Sequence, residues 1–290
     1  MIALPSATPQ LPAEWLIRFH GKGRVFSGSL GGTDFLPGWK KFRVEPEEPF
    51  LYLWKAMANP STALLNAKIK QTKTLLQSRT EFPEGLRILR ETRDLILDPL
   101  DPFSASSLYG SLYDGLTESD YRAKVNKKGR TIAYGIWHST RIEDMTMNAL
   151  VLRQAQVFDR TRAKESMLVG VRDTGNQRGE QEIMDMSRNM DISCLIEYQR
   201  QVWSATNAGL SGLTAADLSR KVDRNDVESL LEDGSVSRHP DAAWLIDFWA
   251  NKTVAGLLMM PMCRHQIVHW NESMEAKSRK DRLVKEGKFL

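Results

Sequence analysis

Of the five histidines in the chain, His20, His138, His239, His265 and His269, two are spaced for chemistry on a single helix. His265 and His269 are four positions apart, which on an α-helix offsets them by about 40° around the axis and about 6 Å along it. Two imidazoles placed this way can close on one metal ion, which is why the His-x-x-x-His spacing recurs in metal sites. The same spacing suits a surface pair or core polar residues, so taken alone it leaves those readings open. His138 supplies a third imidazole. It lies in a regular apolar stretch whose Ile142 and Met145 share its face, so its ring is expected to point at a core. A buried imidazole needs partners. Either it hydrogen-bonds to a neighbouring helix, or it is a third nitrogen ligand presented across a bundle, where inward-facing side chains build metal sites. His20 and His239 fall in stretches read as loop or helix end and are taken as surface residues.

Two charged residues accompany the trio. Arg141 is one turn from His138 and about 60° off its face, able to reach an anionic substrate or a carboxylate. Glu272, seven residues past His265, falls on the same face as a candidate partner for a metal-bound imidazole or a proton carrier. For both, a structural salt bridge is an equal reading. Glu143 and Asp144 project about 140° and about 120° away from His138 and are not expected to be ligands. Trp137, Trp249 and Trp270 are read first as core aromatics and second as pocket walls.

The elements that must position these groups are helical. Ser61 or Thr62 can cap a helix through Leu75 and Leu76, and a second helix begins near Pro83 and stops at Pro99. Thr131 opens the helix of His138, and Asp191 caps one carrying Leu195, Ile196 and Trp203. Short helices over 214–222 and 225–231 lead to a last pair, from about Asp241 through Trp249 and from about Val254 to Met274, with Pro261 kinking the second. Strand signals are nearly absent after residue 60. The chain therefore reads as all-α, an antiparallel helix bundle with elaborated connections over 61–275. Residues 1–60, rich in proline and glycine, read as an irregular extension with a short helix around Pro12–Phe19. Gly28 to Thr33 is glycine-rich but lacks the Gly-Lys-Ser/Thr ending of a phosphate-binding loop.

Composition bounds the partners. Hydrophobic residues make up 41% and charged residues 26%, the balance of a folded globular protein. Cys194 and Cys263 are the only cysteines, too few for a disulfide framework, which suits a reducing cytoplasm. The N-terminus carries no secretory signal pattern, and the longest apolar run, near Thr253 to Cys263, is about half the roughly 20 residues a membrane span needs. The net charge is +4. Residues 276–290 hold six cations and two anions, which accounts for all of it and leaves residues 1–275 neutral. Nucleic acid is therefore not an expected partner, since that would need a basic face on the folded body. The tail reads as a solvated, fraying helix end.

The run from Ile132 to Asp144, with its Trp137-His138 pair, resembles the second bundle helix of the DinB/YfiT-like superfamily. The run Arg264 to His269 is similar to that family's final helix, which supplies two histidines at this spacing. The resemblance implies a four-helix bundle holding one divalent ion on His138, His265 and His269. Zinc or nickel would lead, with iron admitted; imidazole ligation suits these and copper, and ligand type alone does not choose between them. Three ligands leave coordination positions for water or substrate, the mark of a catalytic site. Family members include transferases joining low-molecular-weight thiols to electrophiles and a thiol-dependent isomerase. The expected function is thus a metal-dependent transferase acting on a small molecule through an activated thiol or water. A hydrolase at the same site and a non-catalytic, metal-binding homodimer are the alternatives.

Overall fold

The computed structural model describes residues 15–17, 26–28, 62–124 and 129–285. The chain divides into two compact units, Met1–Glu48 and Pro49–Leu290.

In the first unit, β1 (Trp15–Ile17) pairs antiparallel with β2 (Phe26–Gly28), with Trp15 opposite Gly28 and Ile17 opposite Phe26. This corrects the short helix expected around Pro12–Phe19. Trp15, Leu16 and Ile17 are consecutive rather than spaced at 3.6, and aromatic and β-branched residues favour the extended chain. His20, and the glycine-rich run beyond Gly28, lie outside the described residues.

The second unit is helical. In order come α1 (Thr62–Leu75), α2 (Phe82–Ile96), α3 (Leu108–Tyr113), α4 (Glu118–Arg122) and α5 (Ile132–Asp144), the last continued by a π-helical turn over Met145–Val151. Then come α6 (Val157–Arg160), α7 (Ala163–Ser166), α8 (Glu180–Asn189), α9 (Ile192–Leu210), α10 (Ala215–Ser219), α11 (Arg224–Glu232) and α12 (Pro240–Ala250). The described residues end in α13 (Val254–Met259), a π turn over Met260–Arg264, and α14 (His265–Lys285).

Starts follow capping chemistry. Thr131 accepts from the Tyr134 amide at 2.9 Å to open α5, and Asp191 accepts from the Cys194 amide at 2.9 Å to open α9. Each satisfies an amide that the first helical turn leaves without a partner. Pro261 does not merely bend the last helix. It sits in the π turn between α13 and α14, where a proline's missing N–H already interrupts the α ladder. The Met262 carbonyl in that turn accepts from Arg93 Nη1 at 3.1 Å.

Helix α5 is the centre of this unit. It packs against both α9 and α14, while α1 pairs with α2, and α2 in turn meets α9 and the second π turn. Every residue of α5 is buried, so this helix has no solvent face and its polar side chains must satisfy one another. They do so in two networks. In one, Glu143 pairs with Arg93 at 2.8 Å and accepts from Gln266 at 3.0 Å. In the other, Asp144 accepts from Tyr198 at 2.8 Å, from Asn148 at 2.8 Å, and from the amides of Val157 and Phe158 at 2.9 Å each.

Trp137 and Trp249 are core residues, as read from sequence. Trp270 is half-buried, its indole donating to the Leu108 carbonyl at 2.7 Å. Cys194 and Cys263 are unpaired. Among the described residues no helix is long and apolar enough to cross a membrane. The basic tail is partly folded onto the body. α14 runs to Lys285, and Lys277 donates to the carbonyls of Ser111 and Leu112 at 2.8 and 3.0 Å, where α3 ends. A cation there complements the negative end of a helix.

Candidate metal centre

His138 comes from the middle of α5, and His265 and His269 from the first two turns of α14. The packing of these helices brings all three rings together. One ring nitrogen from each lies within 4.8 Å of the others. The centroids of His138 are 5.0 Å from both partners, and those of His265 and His269 are 4.7 Å apart. The rings stand nearly perpendicular to one another, at 74°, 82° and 84°, so edges meet and nitrogens converge, where stacked rings would turn them apart.

Outer hydrogen bonds fix which nitrogen faces inward. His138 Nδ1 lies 2.5 Å from the Thr174 carbonyl. A carbonyl only accepts, so Nδ1 carries the proton and the Nε2 lone pair is free. His269 Nδ1 lies 3.1 Å from Glu272 Oε2, leaving its Nε2 3.2 Å from His265 Nε2. Two donors at that separation can both lie about 2.1 Å from one ion and subtend about 100° there, within the range of tetrahedral or octahedral coordination. Carbonyl and carboxylate partners behind metal-binding imidazoles are the usual means of orienting them. His265 lacks such a partner. Its Nδ1 is buried with no hydrogen bond among the described residues.

Two of the three rings, His138 and His265, are tuned to stay neutral. Burial, then the neighbouring His269, push the His138 pKa down to about 3. The same two causes, with His138 added, hold His265 well below its ordinary value. Burial opposes ionisation of Glu272, but its hydrogen bond with His269 and the charge of Arg130 win and keep its carboxyl below the usual range. Arg130 Nη1 reaches Glu272 at 3.1 and 3.3 Å.

Other residues fix the site in place. The Tyr134 ring stacks on His138 at 5.5 Å and 4°, and its hydroxyl donates to the Gly175 carbonyl at 3.0 Å. Gly175 has φ of +75°, and a Cβ there would stand 2.6 Å from the Trp137 ring. A side chain is therefore excluded both by backbone geometry and by space. Gln266 ties the two ligand helices together: its amide donates to the Ser139 carbonyl at 3.2 Å and its Oε1 accepts from Tyr109 at 3.0 Å. Ser139 and Gln266 each follow a histidine of the site, so this bond sets the register of α5 against α14 next to the three rings.

The structure gives Arg141 a different setting from the substrate contact considered from sequence. Its side chain is fully buried and its nitrogens are engaged, with Arg172 O at 3.1 Å, Asp144 at 3.3 Å, Tyr198 at 3.0 Å and Gln156 at 2.8 Å, while Phe158 lies 4.0 Å beneath it. Of the two partners considered, the carboxylate is the one it meets. Glu272 meets His269 rather than His265. Glu143 and Asp144 stand in their own networks, outside the three-histidine group. His239 is exposed, its Nδ1 accepting from the Asp241 amide at 3.2 Å to cap α12. The contributions of Thr174 and Arg130 have no counterpart in the sequence reading. Thr174 acts through its backbone, which every residue type carries, and Arg130 lies 142 positions from its partner.

One variant isolates the carboxylate. Glu272→Gln keeps an oxygen that can accept from His269 but removes the charge. It is expected to weaken metal binding about 10-fold, at the low end for such partners, with full occupancy at saturating metal. Competition against a chromophoric chelator measures this. Unchanged affinity would reduce the Glu272 contact to a structural one.

No protein-family model matches the chain, and no curated protein is significantly similar to it.

Proposed function

We propose that this chain is a DinB-like, metal-dependent enzyme, and that it works as a transferase on a small molecule. In this reading α2, α5, α9 and α14 form the four-helix bundle, with α5 as its second helix and α14 as its last. The observation that supports it best is the convergence of His138, His265 and His269 with two of the three rings oriented from behind. The donors are three imidazole nitrogens, a set that suits zinc, nickel or iron. They would leave coordination positions for other molecules.

When bound, such an ion supplies Lewis acidity that lowers the pKa of a thiol or a water brought to it. The protein's part is to hold His138 and His265 neutral and all three imidazoles in place. Thr174 holds His138, Glu272 holds His269, and Arg130 balances the charge of that carboxylate. A low-molecular-weight thiol would then meet its electrophile at the open positions. The cytoplasm is the proposed location, in keeping with two unpaired cysteines.

The test is an assay of the metal-loaded protein with low-molecular-weight thiols and a fluorogenic electrophile. Metal-dependent thioether formation, lost in His138→Ala, is the expected result. Product release that needs water but no thiol would assign a hydrolase. Neither activity, with metal bound, would favour the non-catalytic homodimer.

The depressed histidines carry a pH signature. A neutral His138 in the fold binds no proton between about pH 6.5 and about 3, whereas the unfolded chain takes one up there. Its contribution to stability is therefore present above pH 6.5 and is lost as pH falls toward 3; that of His265 has the same sign. The metal-free protein is expected to lose stability to urea between pH 7.5 and pH 5, and less so in His138→Gln. Free imidazoles would release metal from about pH 6.5 downward. Here proton competition at His138 and His265 is displaced to lower pH. A midpoint in urea that does not move over this range would refute the burial of neutral rings.

A further inference from the structure

A second site lies on the other side of the π turn from the histidines in the chain. A groove of about 780 Å³ opens between α1 and the segment Phe248 to Arg264. Among the described residues its lining holds four cations, Lys70, Lys73, Lys252 and Arg264, and no carboxylate. Ion pairs elsewhere on the surface are plentiful: Arg87, Arg153, Arg172 and Arg224 each meet two carboxylates. None of the four groove cations makes an ion pair among the described residues; Lys252 lies instead over the Phe248 ring, 4.4 Å from its centre. Between them the walls are mixed, with Ile69, Leu76 and Met259 supplying apolar surface beside Asn66, Gln77 and Thr253.

Residues 1–275 are neutral overall, so collecting four cations that no described carboxylate opposes in one concavity is a local departure from the balance of the body. Like charges facing each other across a groove repel, and low-dielectric walls focus their field. An anion between them relieves that repulsion. Lys70 and Lys73 are three apart and share a face of α1, while Lys252 and Arg264 come from the opposite wall, so charge converges from both sides. The volume suits a small molecule.

The geometry points to a binding site for a small organic anion, with a phosphate or carboxylate head held by Lys70, Lys73, Lys252 and Arg264 and an apolar body lying against Ile69, Leu76 and Met259. It is separate from the metal centre and does not rest on the function proposed for it.

Calorimetric titration of the full chain with octyl phosphate, octanoate and inorganic phosphate tests this. Octyl phosphate or octanoate is expected to bind saturably at one site, at least about 10-fold tighter than inorganic phosphate, and the tighter of the two identifies the head group. Raising the salt should weaken binding. Lys70→Glu with Lys73→Glu, both exposed and therefore compatible with folding, should weaken it at least 10-fold with unchanged circular dichroism. His138→Ala should leave it unchanged, which separates this site from the histidines. Equal affinity for inorganic phosphate, undiminished binding by the double variant, or no saturable binding to millimolar concentration would each overturn the proposal. So would preference for a nucleic acid or a lipid vesicle over all three.

Discussion

Replacing His138 with alanine is expected to weaken metal binding by more than about 100-fold, beyond the loss that follows removal of an outer hydrogen bond. His265 and His269 would remain on α14 with their Nε2 atoms 3.2 Å apart, but a pair on one helix holds an ion from one side only. His138 closes the set from α5, and its ring cannot be replaced by a neighbour: the Ser139 hydroxyl donates to the Ile136 carbonyl, and Glu143 is held by Arg93. His265→Ala and His269→Ala should each cause a comparable loss, while His239→Ala and His20→Ala should not. Metal content after purification and affinity by chelator competition both report this. Normal metal content in His138→Ala would reduce the centre to the helical pair.

The largest effect on folding is expected at Arg93. Its side chain and that of Glu143 are both fully buried, 2.8 Å apart, and the guanidinium lies 3.8 Å from the centre of the Trp203 ring. It also donates to Asn207 at 2.7 Å and to the Met262 carbonyl in the π turn at 3.1 Å. Arg93→Met retains bulk but strands a carboxylate away from water. Breaking one side of a buried pair costs about 3–5 kcal/mol, a large part of a domain's total stability. Adding Glu143→Gln to Arg93→Met should recover much of that loss, because a neutral amide can still meet Gln266. Urea unfolding of the metal-free protein measures both. A single variant within about 1 kcal/mol of the parent would show that water reaches Glu143.

The parts legible in the sequence are those whose signal is local. Thr131 and Asp191 are caps three residues ahead of the amides they satisfy, and each opens the helix expected of it. The order of His138 and the later pair could be read because one helical turn sets the spacing. Five short helices, α3, α4, α6, α7 and α8, were not read from the sequence, although α10 and α11, of similar length, were. Arg141 illustrates a different limit. Its angle from His138 placed it near the site, but α5 is buried all round, so no face of it is marked by solvent. Tyr198, 57 positions away, and Gln156 decided where its charge went. The mainchain of Thr174 is the extreme case, because an acceptor common to all residues leaves no mark in a sequence.

The π turn between α13 and α14 has a bearing on how such a centre tolerates insertion and deletion. A π turn takes in one residue more than an α turn, and one residue is worth about 100° of rotation. Deleting a residue such as Met260 while the helix heals to α geometry would turn α14 by that angle, swinging His265 and His269 off the line to His138 with no ligand altered. The turn thus acts as a phase setting. Alignments of related chains should show any gap here compensated within the same turn, and a chain with an uncompensated gap should keep all three histidines yet have lost its metal.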